Sequence, residues 1–141
     1  MTGFERNAGS LMPKTSLVSI VEDDQFFRES IRRLLRSQGY SVEAFPSAAD
    51  FLASPRLKET AVLIADVNMP AMTGIELYRH FVDAGHSIPT ILVTAYPNDI
   101  DRIRALEDGV VCYLRKPVDD EHLIRCLRAA LGSGEVPEEN S

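Results

Sequence analysis

The sequence predicts an α/β domain in which a five-stranded parallel sheet is wound on both faces by helices. Two observations carry this. Short apolar runs alternate with segments of helical period five times along the chain, and three of those runs are apolar almost throughout rather than at every second residue. A strand that is apolar on both sides belongs between two layers of helices, and strand–helix–strand units of this kind close into parallel sheets. With 141 residues and 45% hydrophobic content, the chain has material for one core of ordinary domain size.

The first run, LVSIV at 17–21, leads into a helix from Gln25 to Gln38. In it Phe27, Ile31, Leu34 and Leu35 recur at i, i+4, i+7 and i+8, while Arg28, Arg32, Arg33 and Arg36 take other faces. Gly39 is the stop signal. The second run, YSVEAF at 40–45, alternates and reads as a strand nearer an edge; a helix follows over 47–54. Then come AVLIAD (61–66) with a helix over 74–84, TILVT (90–94) with a helix over 98–107, and VVCYL (110–114) with a helix over 119–131. Residues 1–15 are polar with no sustained period, and residues 132–141 are rich in Gly, Pro and Glu. Both read as flexible tails around a domain at 16–131.

A net charge of −6 and a pI near 5.0 argue against holding nucleic acid directly on a broad basic surface. Cys112 and Cys126 lie in apolar surroundings without metal-ligand spacing, and read as small core residues in a reducing compartment. No apolar run approaches the roughly 20 residues that span a bilayer, and the N-terminus has no signal-peptide stretch. A soluble cytoplasmic protein without a membrane partner is expected. His80, His86 and His122 show no metal spacing and receive no role.

In open parallel sheets the ligand crevice lies beyond the carboxyl ends of the strands, so chemistry is sought at the residues that close each run. Strand one closes on Glu22, Asp23 and Asp24, strand three on Asp66 and strand four on Thr94; Lys116-Pro117 follows strand five. Crowded carboxylates repel one another, and a hard divalent cation, Mg²⁺ or else Mn²⁺, is their natural counterion. A carboxylate placed in line with a phosphorus atom can act as nucleophile when cations stabilise the equatorial oxygens, the part open to Lys116 and the metal. Each residue also has a plainer reading: Asp23 or Asp24 as a helix cap, Asp66 and Thr94 as turn residues.

Four motifs in this order and spacing are similar to those of the receiver domains of two-component response regulators: IVEDD (20–24), Asp66-Val-Asn-Met-Pro-Ala-Met-Thr-Gly74, Val93-Thr94-Ala95, and Gly109 through Tyr113-Leu-Arg-Lys116-Pro117. The resemblance covers about residues 16–131 and is nearest to receivers that precede LuxR-type DNA-binding domains, through Phe45-Pro-Ser-Ala-Ala-Asp-Phe-Leu52. It implies a CheY-like, flavodoxin-like sheet of order 2-1-3-4-5. It further implies that Asp66 is phosphorylated, that Asp23, Asp66 and, through water, Glu22 hold Mg²⁺ with the Asn68 backbone carbonyl, and that Thr94, Ala95 and Lys116 meet the phosphoryl group. Tyr113 is implied as the aromatic that turns inward when Thr94 moves, against the plainer reading of a packed edge aromatic. Pro117 would make a rigid, usually cis, turn that aims Lys116. Asn68 and Tyr96 are implied to flank the path of hydrolytic water and so tune dephosphorylation.

The partners implied are a sensor histidine kinase or histidine phosphotransfer protein, a downstream protein, and a second copy of the chain upon phosphorylation. The arginines of the first helix either dock the phosphodonor or form a solvated basic face. The short acidic stretch after Leu131 cannot form a helix-turn-helix, so a stand-alone regulator acting through protein contacts is expected, with no substrate of its own. Three rivals stand beside it. A haloacid-dehalogenase-like phosphatase needs a second Asp where Asn68 stands. An FMN binder needs a phosphate loop where Glu22, Asp23 and Asp24 stand, and a degenerate receiver used only for contacts would lack the site residues present here.

Overall fold

The computed structural model describes residues 16–132. The tails expected at 1–15 and, apart from Gly132, at 132–141 lie outside the described residues. Strands β1 (Leu17–Val21), β2 (Ser41–Phe45), β3 (Thr60–Asp66), β4 (Thr90–Thr94) and β5 (Cys112–Arg115) are all parallel, in the order β2-β1-β3-β4-β5. Helices α1 (Gln25–Ser37), α2 (Ala48–Leu52), α3 (Gly74–Asp83), α4 (Asp99–Glu107) and α5 (Asp120–Ala130) connect them. This is the flavodoxin-like 2-1-3-4-5 winding, and the alternating run at 41–45 is indeed an edge strand.

Both sheet faces are covered, which explains the continuous apolar runs. Successive strand residues point to opposite faces. On β3, Val62 and Ile64 pack with Ile31 and Leu35 of α1 and Leu123 and Leu127 of α5. Leu63 and Ala65 pack on the other face with Phe51 of α2, Leu77 and Phe81 of α3, and Ala105 of α4. The one polar side chain of β1, Ser19, is satisfied in the core by the Thr60 hydroxyl at 2.7 Å. Cys112 and Cys126 are both free and buried, as expected.

Each of the five helices starts on a side-chain cap. Asp24, Ser47, Thr73, Asn98 and Asp119 accept backbone N–H bonds from the first turns that follow them, and Thr73 completes a capping box with Glu76. Two elements differ from expectation. Helix α2 is five residues rather than the span 47–54, because Ser47 is its cap and the chain leaves at Ala53 for a 3₁₀ turn over Leu57–Glu59 that the sequence pattern did not reveal. Strand β5 begins at Cys112 rather than Val110, because Gly109 (φ 111°) reverses the chain and the Val110 N–H returns to the Ala105 carbonyl at the end of α4. No helix among the described residues is long and apolar enough to cross a membrane.

Candidate functional site

Strand register brings the expected residues to one edge. Val21 of β1 lies beside Ala65 of β3, so the next residues, Glu22 and Asp66, leave neighbouring strands side by side. Asp66 pairs with Val93, which places Thr94 one strand over and one step on; Thr94 pairs with Arg115, so Lys116 is the first residue past β5. The Lys116 N–H donates to the Thr94 carbonyl at 2.8 Å, which extends the ladder to the lysine itself. The Lys116-Pro117 peptide is cis, as the resemblance implied.

The side chains converge accordingly. Carboxylate oxygens of Glu22, Asp23 and Asp66 lie within 4.8 Å of one another, a compact set of hard oxygen donors. Lys116 Nζ stands 2.8 Å from Glu22 Oε1 and 3.4 Å from Asp66 Oδ1. Glu22 is 1% exposed and Asp66 3%, whereas Asp23 faces solvent. Burial pushes the Glu22 carboxyl up to about 7, with the Asp66 charge adding to the shift while Lys116 and the Asp24 N–H oppose it. Burial raises Asp66 as well, against the pull of Lys116 and the Asn68 N–H. Burial alone would lower Lys116, but its bond to Glu22 and the charges of Glu22 and Asp66 outweigh that and raise it, so the ammonium is retained. Two buried acids share one cation here, and a divalent ion on the open Asp23 side fits the remaining negative charge.

Asp24 is set apart from this cluster. Its side chain accepts from the Phe26 N–H at 3.1 Å as the cap of α1, while its own N–H donates to Glu22 Oε2 at 3.0 Å. Of the two adjacent acids before α1, Asp24 caps the helix and Asp23 belongs to the carboxylate set.

Around Asp66 the loop is tightly drawn. The Asn68 N–H donates to Asp66 Oδ1 at 3.4 Å, and the Asn68 side-chain carbonyl accepts the Thr94 hydroxyl at 2.5 Å. Thr94 is fully buried and its Oγ1 also accepts the Tyr96 N–H at 3.0 Å. Ala95 is exposed at the end of β4, and the Tyr96 ring stands 76% exposed beside it. Tyr113 is buried on the α4 side of the sheet, its hydroxyl accepting the Asn98 N–H at 3.3 Å.

Several supporting residues escaped the sequence reading. The Phe27 ring centroid lies 4.5 Å from Lys116 Nζ, a cation–π contact by a residue read only as core. Arg28, grouped with the helix arginines, turns back to donate from Nη1 to the Glu22 carbonyl at 2.8 Å. Gly74 presses against the backbone of Asp66: a Cβ there would stand 2.5 Å from the Asp66 carbonyl oxygen. Gly74 closes the Asp66–Gly74 motif, whose spacing marks the residue while only the tertiary contact explains it.

Residues 18–128 match the model of the response regulator receiver domain. The chain is 35% identical over 118 residues to the response regulator protein TodT of Pseudomonas putida, covering 84% of this chain and 52% of that protein. It is similar in structure to a response regulator receiver protein from Burkholderia phymatum (TM-score 0.72, 38% identity, 87% of this chain and 99% of that one). It is also similar to FixJ-N (TM-score 0.74, 32% identity, 83% and 94%). The chain spans about half the length of the curated relatives it matches.

Proposed function

Because the chain belongs to the response regulator receiver domain family, we propose that it accepts a phosphoryl group on Asp66 from a histidine kinase or phosphotransfer protein and thereby switches protein–protein contacts in a phosphorelay. The observation that carries this is the Lys116 ammonium set between buried Glu22 and buried Asp66, next to a third carboxylate on the open side.

In this reading Asp66 Oδ attacks the phosphorus of a phosphohistidine, forming an O–P bond as the N–P bond breaks and the electron pair leaves with the imidazole nitrogen. Lys116 turns from a counterion of the free carboxylates into a partner for the phosphoryl oxygens, and the Thr94 hydroxyl and Ala95 N–H supply further donors. Glu22, Asp23, Asp66 and the Asn68 carbonyl would hold Mg²⁺, which when bound neutralises charge on the transferring group. The protein contributes position and electrostatics, with no substrate other than the phosphodonor and water. Asn68 also speaks against the dehalogenase-like rival: its amide oxygen accepts a hydrogen bond from the Thr94 hydroxyl, and the amide has no acidic proton to give a leaving group.

The test is labelling of the full chain by acetyl phosphate with Mg²⁺, read as a phosphoryl mass increment on the intact protein. Wild type is labelled, Asp66→Asn is not, and chelation of Mg²⁺ prevents labelling. Undiminished labelling of Asp66→Asn would place the phosphoacceptor elsewhere.

A further inference from the structure

We propose that the Asn68 side chain is a latch on the phosphoryl switch, holding the Thr94 hydrogen bond that an incoming phosphoryl group must accept instead. The inference rests on Asp66 being the phosphoacceptor, and concerns what regulates that same site.

A threonine hydroxyl has one proton to donate. With Asp66 a free carboxylate, that proton is directed at Asn68 Oδ1, while the hydroxyl oxygen accepts from the Tyr96 N–H. Thr94 is fully buried while Asn68 itself is exposed, so in the intact chain the hydroxyl meets the Asn68 amide rather than solvent. Phosphoryl oxygens on Asp66 accept hydrogen bonds only, and Thr94 can serve them only by leaving Asn68. Residue 68 also touches the nucleophile, through its N–H on Asp66 Oδ1. Acceptor, latch and switch hydroxyl therefore form one connected unit, and displacing the hydroxyl loosens its tie to the Tyr96 backbone at the head of the loop into α4.

The energetics give the latch a direction. Removing the exposed Asn68 side chain exchanges a protein acceptor for water while Asp66 is free, and leaves the hydroxyl satisfied once phosphoryl oxygens are present. The cost of that exchange falls on the free form alone, so the occupied form becomes easier to reach. Asn68 is thus a positioning residue acting through Thr94, and an acceptor of this kind makes the receiver harder to switch.

The experiment is a titration of the full chain with beryllofluoride and Mg²⁺, followed by ¹⁹F NMR of the bound fluoride. Asn68→Ala is expected to bind about three- to tenfold more tightly than wild type, the equivalent of one hydrogen bond. The gain vanishes when Thr94→Ala is the background and persists with Thr94→Ser, which keeps a hydroxyl. A purely structural role for Asn68 would not depend on that hydroxyl. Unchanged or weaker binding by Asn68→Ala, or a gain that survives Thr94→Ala, overturns the latch while wild-type binding upholds the phosphoacceptor reading. Absence of binding to wild type overturns both.

Discussion

The shorter of the two ion pairs made by Lys116 is with Glu22: Nζ lies 2.8 Å from Glu22 Oε1, against 3.4 Å from Asp66 Oδ1. The lysine is therefore anchored on Glu22 and leans over Asp66, the acid proposed to accept the phosphoryl group. Phe27 beneath the ammonium and Arg28 on the Glu22 carbonyl brace the same corner from the first turn of α1.

Lys116 and a divalent cation draw on the same carboxylates, so Lys116→Ala is expected to act in opposite directions on binding and on chemistry. Mg²⁺ affinity rises, because a competing positive charge has gone and two buried acids are left short of a counterion. The labelling rate with acetyl phosphate falls by roughly 10²-fold or more, the usual scale for losing a stabilising group at a developing charge. A Mg²⁺ titration beside a labelling time course checks both. A fall in Mg²⁺ affinity would show that the lysine organises the acids rather than competing for them.

Asp23 and Asp24 are adjacent in sequence but separate in role. Asp24→Ala removes the cap of α1 and is expected to lower stability by about 1 kcal/mol while leaving Mg²⁺-dependent labelling close to wild type. Asp23→Ala leaves the melting temperature near wild type and weakens Mg²⁺-dependent labelling at least tenfold, since its exposed carboxylate caps no helix and belongs to the carboxylate set. Thermal unfolding and labelling of the two variants separate the roles, and the reverse pattern would exchange them.

That pair also shows where sequence reasoning reached its limit. The five strand–helix units, the edge position of β2 and the convergence of Glu22, Asp66, Thr94 and Lys116 were all legible, because periodicity and strand-end position determine them. Which of two neighbouring acids caps a helix depends on the backbone angle at one residue, and no spacing encodes it. The Phe27–Lys116 contact and the Asn68–Thr94 bond join residues far apart in the chain, where only tertiary placement decides which polar atoms meet. The short α2 and the late start of β5 were lost for a local reason: Ser47 and Gly109 redirect the backbone inside segments whose composition suits a longer element.

Gly74 opens α3 directly against the end of β3. Any β-carbon there would approach the Asp66 carbonyl oxygen to 2.5 Å, its carbonyl carbon to 3.0 Å and the Leu92 side chain to 3.2 Å. Two of those atoms are backbone and cannot swing aside. Gly74→Ala is expected to destabilise by about 1–3 kcal/mol, the range for overpacking a close-packed site. The labelling rate falls with it, because relief of the clash displaces Asp66 itself. Unchanged melting and labelling would mean that α3 can slide outward without strain.

Glu22 gives the domain a pH-dependent stability of defined sign. Burial holds its folded pKa at about 7, above the ordinary carboxyl value of 4.5, so between those values the folded state binds more protons than the unfolded one. Stability from this residue is therefore greatest below about pH 4.5, falls as pH rises toward 7, and is level above that. Asp66 is raised in the same direction and adds to the slope. Glutamine cannot ionise, so in EDTA the melting temperature of Glu22→Gln, relative to wild type, is expected to rise from about pH 5 to about pH 7.5. Adding Mg²⁺ flattens the wild-type slope, because a cation on the carboxylates favours their charged form. A gap between variant and wild type that stays constant across the range would mean that Lys116 fully offsets the burial of Glu22, leaving the carboxylate ionised throughout.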